Sequence, residues 1–388
     1  MNGYKQTDIG IIPNDWDVKE LAQITKMVTN GFVGTAKIFY SENDNDVLYI
    51  QGYNVEENKF NFNGIKYVTK EFHKKNAKSR LEEGDLLTIQ TGDVGLTTIV
   101  PIEIAGSNCH ALIISRFKKD ISNPLFFSYY FNSNSGRSRL KKIETGSTMK
   151  HINVGDLIQF KVPFPPTKSE QTAIATALSD MDALIDSLEK LIEKKKHIKQ
   201  GFMQDLLRPK EGWVVKRLGD VADIYTGNKD NQNKVEDGEF PFFVRSQSVE
   251  RINTFSYNGE AILIPGEGNI GKIFHYVNGK FDFHQRVYMI SNFKEDFFAK
   301  YIYFYMRENF GKHAMKNSVK ATVDSLRLPT FQNFEILCPQ TVEEQKEISE
   351  ILSNIETEIN SFENKHNKYK MLKKGMMQEL LTGKTRLI

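Results

Sequence analysis

The chain carries one 41-residue stretch twice, and this constrains its fold more than anything else. Glu170 to Lys210 reads EQTAIATALSDMDALIDSLEKLIEKKKHIKQGFMQDLLRPK, and Glu344 to Lys384 reads EQKEISEILSNIETEINSFENKHNKYKMLKKGMMQELLTGK. The copies align without a gap and match at about 17 of 41 positions, so any fold must house the same element in two places. Apolar residues fall at Ile174, Leu178, Met181, Ile185, Leu188 and Ile192, then at Phe202 and Leu206, in the first copy. In the second they fall at Ile348, Leu352, Ile355, Ile359 and Phe362, then at Tyr369, Met376 and Leu380. Steps of four and three alternate, which is the a/d seam of a coiled coil. Acids come early and lysines late in each copy, as the helix dipole favours. Lys195, Lys199, His366 and Lys373 fall in the seam, where polar residues cost stability and fix register. Roughly 37 helical residues at ~1.5 Å each give about 55 Å. A helix with one narrow apolar stripe needs a partner, and the other copy is the obvious one.

The rest of the chain is duplicated too. Trp16, Lys19 and Leu21 align with Trp213, Lys216 and Leu218, and no other tryptophan is present. Leu48–Val55 parallels Phe242–Val249, each reading as a strand that ends in a polar turn. Asp85–Gly95 parallels Ala261–Gly271, an apolar strand that breaks at a glycine-rich turn. A strand with His110 parallels one with His284, and aromatic helical segments follow at Leu125–Phe131 and Phe297–Met306. A basic turn and a strand ending in proline then lead into each long helix. The expected order is a globular unit over 1–166, a helix over 167–210, a second unit over 211–340 and a second helix over 341–388. Short β-like runs with one or two helices make each globular unit α+β.

With 39% hydrophobic and 26% charged residues, the composition is that of a soluble globular protein. No apolar run reaches the roughly 18 residues of a membrane span. No signal peptide is visible at the N-terminus, so a cytoplasmic location is expected. Cys109 and Cys338 match no metal spacing, and no disulfide is expected of a cytosolic chain. A net charge of +3 does not announce nucleic acid.

Catalytic motifs are missing. Gly266, Gly268 and Gly271 spell G-x-G-x-x-G, but the following KIFHYV is β-like, whereas a dinucleotide site needs a helix there. A tight loop between strands is the better reading. The chain has no phosphate-binding P-loop, no H-E-x-x-H, no G-x-S-x-G and no usable methyltransferase motif. His110 and His284 lie in apolar strands, as satisfied core histidines do.

The basic segments carry more. Arg137, Arg139, Lys141, Lys142, Lys150 and His151 occur with Glu144 as the one acid among them. Lys312, His313, Lys316 and Lys320 hold the equivalent place in the second unit. Two readings stand: a solvated charged face, or phosphate contacts that fix register on DNA. Base readout, if present, falls to the polar turns: Gln51, Tyr53, Asn54, Gln90 and Thr91 in one unit, and Arg245, Gln247, Ser248, Asn269 and Lys272 in the other. Arginine suits guanine, and Gln or Asn suits adenine. The shared positions are mostly apolar, Gly or Pro, while the polar turn residues differ. One scaffold with two surface chemistries suggests two related targets.

This pattern resembles the specificity subunit of type I restriction–modification enzymes, over essentially the whole chain. The resemblance rests on IGIIPNDWDVKEL and its echo GWVVKRLGDV, on the junctions FPPTKSEQTAIATAL and CPQTVEEQKEISEIL, and on the helix ends KQGFMQDLL and KKGMMQELLTGKTRL. It implies two target-recognition domains, each reading half of a split, asymmetric double-stranded DNA site. It implies antiparallel helices that act as a ruler and dock two methyltransferase subunits, with motor-nuclease subunits joining that core. S-adenosylmethionine would belong to the methyltransferase partner, and this chain would hold no cofactor, no metal and no catalytic residue. A helix of about 55 Å bounds the gap between half-sites at roughly 16 base pairs of ~3.4 Å. The competing reading is a coiled-coil scaffold that binds no nucleic acid.

Overall fold

The computed structural model describes residues 3–148, 150–317 and 325–387. They form two compact units, one of residues 1–187 with 365–388, the other of 188–364. The duplicated stretches are helices, Lys168–Leu206 and Val342–Leu380, of 39 residues each, or about 58 Å. Each begins the same way. The hydroxyl of Thr167 accepts the Glu170 N–H at 3.2 Å, and that of Thr341 accepts the Glu344 N–H at 3.4 Å, satisfying donors that a helix start leaves unpaired. The first helix ends ahead of Arg208-Pro209, since the residue before proline avoids the helical region. The second ends in a turn through Gly383 at φ +70°, where the Lys384 N–H donates to the Glu379 carbonyl at 2.9 Å.

Each unit takes half of each helix, and the halves run antiparallel. In the 188–364 unit Lys195 pairs with Glu358 at 2.8 Å and Lys199 with Glu356 at 2.7 Å. In the other unit Lys373 pairs with Asp182 at 2.6 Å, and Arg386, beyond the helix end, reaches back to Glu170. Ile174 and Leu178 share a core with Met377, Leu380 and Leu381, and Met203 and Leu207 share one with Ile348 and Leu352. Ile185, Leu188, Ile192 and Ile359 are buried, while Met181, Ile355 and Phe362 are half-buried.

The late seam differs from the sequence pattern. Phe202 is 43% exposed, and the buried residues are Met203 and Leu207, matched by Met377 and Leu381, with Leu380 of the expected line buried beside them. An α-helix drifts ~20° per heptad against a 3.5-residue repeat. Four heptads of drift come to nearly one residue's rotation, so the buried stripe moves one position on.

The globular parts share a strand plan, with extra short strands in the first. In the first unit one sheet orders Thr97–Ile99, Leu86–Ile89, Leu112–Phe117 and Thr25–Asn30, all antiparallel. A second sheet holds Val47–Ile50 in parallel pairing with Asn108–Cys109. In the second unit the matching strands merge into one six-stranded sheet, ordered Asp223–Thr226, Val287–Ser291, Tyr257–Pro265, His275–Phe283, Phe240–Phe243 and Val249–Ile252. Its parallel pair, Phe243 opposite Phe283, mirrors Ile50 opposite Cys109. An entry strand pairs with the strand before each long helix: Asp17–Glu20 with Lys161–Phe164, and Val214–Arg217 with Glu335–Cys338.

One buried glutamine per unit joins these parts. The side-chain oxygen of Gln171 accepts the Asn123 N–H at 2.8 Å, and its amide donates to the Ile121 and Pro165 carbonyls at 3.2 and 3.3 Å. Gln345 accepts from Phe298 N–H at 2.8 Å and donates to the Asp296 and Pro339 carbonyls, both at 3.1 Å. Both side chains are fully buried. The E-Q pair that opens each repeat therefore has a physical cause. Glutamine supplies the acceptor and two donors that tie the long helix to the aromatic helix and to the incoming proline strand.

Candidate nucleic-acid interface

The glycine turns of the two units have the same geometry. Gly92 and Gly95 sit at φ +93° and +81°, and Gly268 and Gly271 at +84° and +66°. The Val94 N–H donates to the Gly92 carbonyl at 2.7 Å, and the Ile270 N–H to the Gly268 carbonyl at 2.8 Å. Left-handed backbone of this kind costs a residue with a Cβ energy that glycine does not spend. The second glycine also lets a helix approach. A Cβ at Gly95 would lie 3.0 Å from the Leu140 side chain, and one at Gly271 would lie 2.8 Å from the Gly311 backbone. No helix starts at Gly271; the chain returns as the strand His275–Phe283. The turn is a loop between strands and lacks the helix that a dinucleotide fingerprint needs.

This packing brings together segments far apart in sequence. In the first unit Ile152 N–H donates to the Gln90 carbonyl at 3.1 Å, and Thr91 bridges His151. Arg137 donates to the Val94 carbonyl at 2.8 Å. Gln90, Thr91, Arg137 and the loop carrying exposed Lys150 thus share one surface. In the second unit Leu326 N–H donates to the Gly266 carbonyl at 2.7 Å, and Glu267 bridges Ser325. Exposed Asn269 and Lys272 lie on that turn or just beyond it. Lys312 and Lys316 are exposed near the end of the helix Ala299–Asn317, which packs on Gly271 through Gly311 and Ala314. Lys320 lies outside the described residues. The basic residues read as turns are thus largely helical. Arg137 and Arg139 sit on the helix Asn134–Leu140, capped by the Ser133 hydroxyl, which accepts the Gly136 N–H at 3.1 Å.

Asn54 belongs to the fold, and Arg139 is partly committed to it. Asn54 is fully buried; its oxygen accepts the Gln51 N–H at 3.0 Å and its amide donates to the Asn61 carbonyl at 2.8 Å. It shapes the turn and has no edge left for a base. Arg139 donates to the Tyr130 hydroxyl and the Lys161 carbonyl, both at 2.6 Å, with its guanidinium 4.6 Å from the Phe160 ring centroid. One of its nitrogens is thus committed to the fold, and two residues on a helix turn it ~200° from Arg137. Gln51 is half-buried and donates to the Tyr53 hydroxyl at 3.0 Å, and Tyr53, half exposed, donates to the Gly64 carbonyl at 2.8 Å.

In the second unit the two polar turns meet. Arg245 and Ser246 line an open cleft of about 490 Å3 with Asn231, Glu267 and Asn269. Gln247 and Ser248 are exposed on the same turn, whose Ser246 carbonyl accepts from the His275 ring at 3.1 Å. Sequence reading passed over Glu267 as a partner of arginine, and over Arg286, whose guanidinium hydrogen-bonds its carboxylate. The signal was there: Arg286 lies two residues after the landmark His284. The landmark histidines belong to the scaffold. His110 sits 2.9 Å from the Tyr49 hydroxyl, His284 is 3% exposed, and burial pushes both pKa values down. Among the described residues no cluster of His, Cys, Asp or Glu could hold a metal, and no helix is long and apolar enough to cross a membrane.

Comparison with known proteins agrees with this arrangement. The family model described as the type I restriction modification DNA specificity domain matches residues 13–200 and again 210–369. A Methanocaldococcus jannaschii chain with the provisional name of MjaX type I restriction enzyme specificity subunit is 27% identical, over 99% of this chain and 97% of its own. The EcoDI specificity subunit of Escherichia coli is 27% identical over 44% of this chain and 37% of its own. The crystal structure of a type I restriction-modification S subunit from M. genitalium has the same fold, with a TM-score of 0.67 at 15% identity, covering 94% of this chain and 96% of that one. The paired glycine turns, the paired buried glutamines and a family domain matched twice have one explanation: this chain belongs to the type I restriction–modification specificity subunits, the non-catalytic subunits that recognise the DNA target.

Proposed function

We propose that each globular unit reads one half of a bipartite, asymmetric DNA site, while the long helices set the gap and dock two methyltransferase subunits. The observation that carries this reading is a shared scaffold, with its glycine turns and glutamine anchors repeated bond for bond, that displays different residues. Turns with the same backbone geometry present Gln90, Thr91 and Asp93 in one unit and Glu267, Asn269 and Lys272 in the other. Equal shape with unequal chemistry suits two different half-sites at one spacing. Helices of about 58 Å bound that gap at roughly 17 base pairs. Apolar side chains left exposed along them, including Phe202, Met371 and Leu372, suit burial by partner subunits. S-adenosylmethionine then belongs to the methyltransferase, motor-nuclease subunits join the same core, and the complex acts on DNA in the cytoplasm.

The test is a methylation map. The chain is expressed with its methyltransferase partner, and modified adenines are compared with and without it. A split motif, two short half-sites around a fixed gap, should appear only when this chain is present. No new methylation, with the partner folded and bound, would favour the scaffold reading.

A further inference from the structure

The 188–364 unit holds a charged device that the other unit lacks. The Glu267 carboxylate receives a short hydrogen bond from Arg286, and its other oxygen lies 3.6 Å from Arg245. One acid therefore serves two guanidinium groups that would otherwise repel each other. Its side chain is 21% exposed, against 45% for Arg245 and 55% for Arg286. Arg286 is hydrogen-bonded to the carboxylate, Arg245 is paired with it at longer range, and both guanidinium groups are open to solvent on the other side. The backbone fixes the anchor. Gly266 N–H donates to the Arg286 carbonyl at 2.9 Å, and a Cβ on Gly266 would lie 2.7 Å from the Tyr288 ring, so only glycine permits this approach. Arg245 comes from the turn after Phe240–Phe243, and Arg286 from the turn before Val287–Ser291. At the matching turns the first unit has Gly52, Thr91 and, between His110 and the strand Leu112–Phe117, Ala111, none of them charged.

We propose that Glu267 is a positioning residue that presents Arg245 and Arg286 as two pre-organised forks for guanine in the half-site read by this unit. The proposal rests on the reading that the unit binds DNA. A guanidinium has five N–H donors in a plane. With one edge held by a carboxylate, the other offers two parallel donors that match O6 and N7 of guanine in the major groove. Holding the plane in advance removes much of the entropy that a free arginine loses on binding. The trio keeps one net positive charge, which favours DNA. Asn269 and Ser246 beside the cleft can serve neighbouring base edges or the backbone.

The test uses the whole methyltransferase complex and maps methylation for the wild type and for Arg245→Lys, Arg286→Lys and Glu267→Gln. The wild-type motif should contain guanine in one half-site. Each lysine variant, which keeps the charge and loses the fork, should relax discrimination by about tenfold at one guanine position, leaving the other half-site unchanged. Glu267→Gln should relax both positions, whereas a merely structural role would lower methylation evenly at every site. An even fall with the motif intact would reassign the arginines to phosphates and overturn the proposal. So would a split wild-type motif without guanine, or one that none of the three variants alters. A wild-type complex that methylates no split site would overturn the DNA reading, and this proposal with it.

Discussion

At the scale of the residue, the two buried glutamines show how a repeated sequence letter becomes a repeated bond pattern. Gln171 and Gln345 each accept one backbone N–H and donate to two carbonyls out of contact with water. Leaving such groups unpaired costs more than the bonds themselves contribute. Gln171→Ala should destabilise its unit by roughly 2–4 kcal/mol in urea unfolding. Gln171→Glu should be no better, because a carboxylate would face two carbonyl oxygens. If Gln171→Glu keeps wild-type stability, the assigned bonds are wrong. Asn54 is a second case. Asn54→Ala should lower the unfolding midpoint, by about 1–3 kcal/mol in stability, through the lost bonds inside its turn.

At the scale of the element, the polar seam slots acquire partners. Lys199 and Lys373 hold equivalent places in the repeat and pair with Glu356 and Asp182, which are equivalent too. Each pair also ties the coiled coil to the aromatic helix of its own unit. Arg307, beside Tyr303, bonds Glu356 at 2.6 Å, and the Tyr129 hydroxyl donates to Asp182 at 2.7 Å. Burial pushes the Glu356 carboxyl up, but the bonds from Lys199 and Arg307 outweigh it and hold the pKa below the ordinary value of 4.5. The sign follows from linkage. A carboxyl whose folded pKa is depressed adds stability at pH above its unfolded value, and that stability is lost as pH falls through the folded one. Unfolding midpoints measured from pH 6 down to pH 3 should fall more steeply below about pH 4.5 in the wild type than in Glu356→Gln. Equal slopes would mean that the pair adds nothing to stability.

At the scale of the whole molecule, function depends on two units built alike and surfaced differently. Phosphate-contacting lysines act through counterion release, so their effect depends on salt and not on sequence. Neutralising Lys312 and Lys316 together to glutamine should lower the salt slope of DNA binding by about two, measured by fluorescence anisotropy on the bipartite duplex with the assembled complex. The methylated motif should not change. A changed motif would make these lysines base readers, and an unchanged slope would take them off the interface.

The sequence by itself determined the duplication, the two long helices, the α+β character and the order of landmarks, because these rest on periodicity and on glycine and proline. Such signals are local and survive reading one residue after another. It also marked the glycine turns as loops between strands, since the residues after Gly271 are β-like. Tertiary structure alone decided which polar residues remain available. Asn54 looks like a reader in a list, but its oxygen and amide are spent on neighbours that only the fold brings near, and Arg139 gives one guanidinium nitrogen to Tyr130 and Lys161. It also decided that the seam passes from the line of Phe202 to that of Met203 and Leu207, because helical drift accumulates over four heptads. And it placed Glu267 between two arginines from different turns. A hydrogen bond depends on distance in space, and no spacing along the chain encodes it.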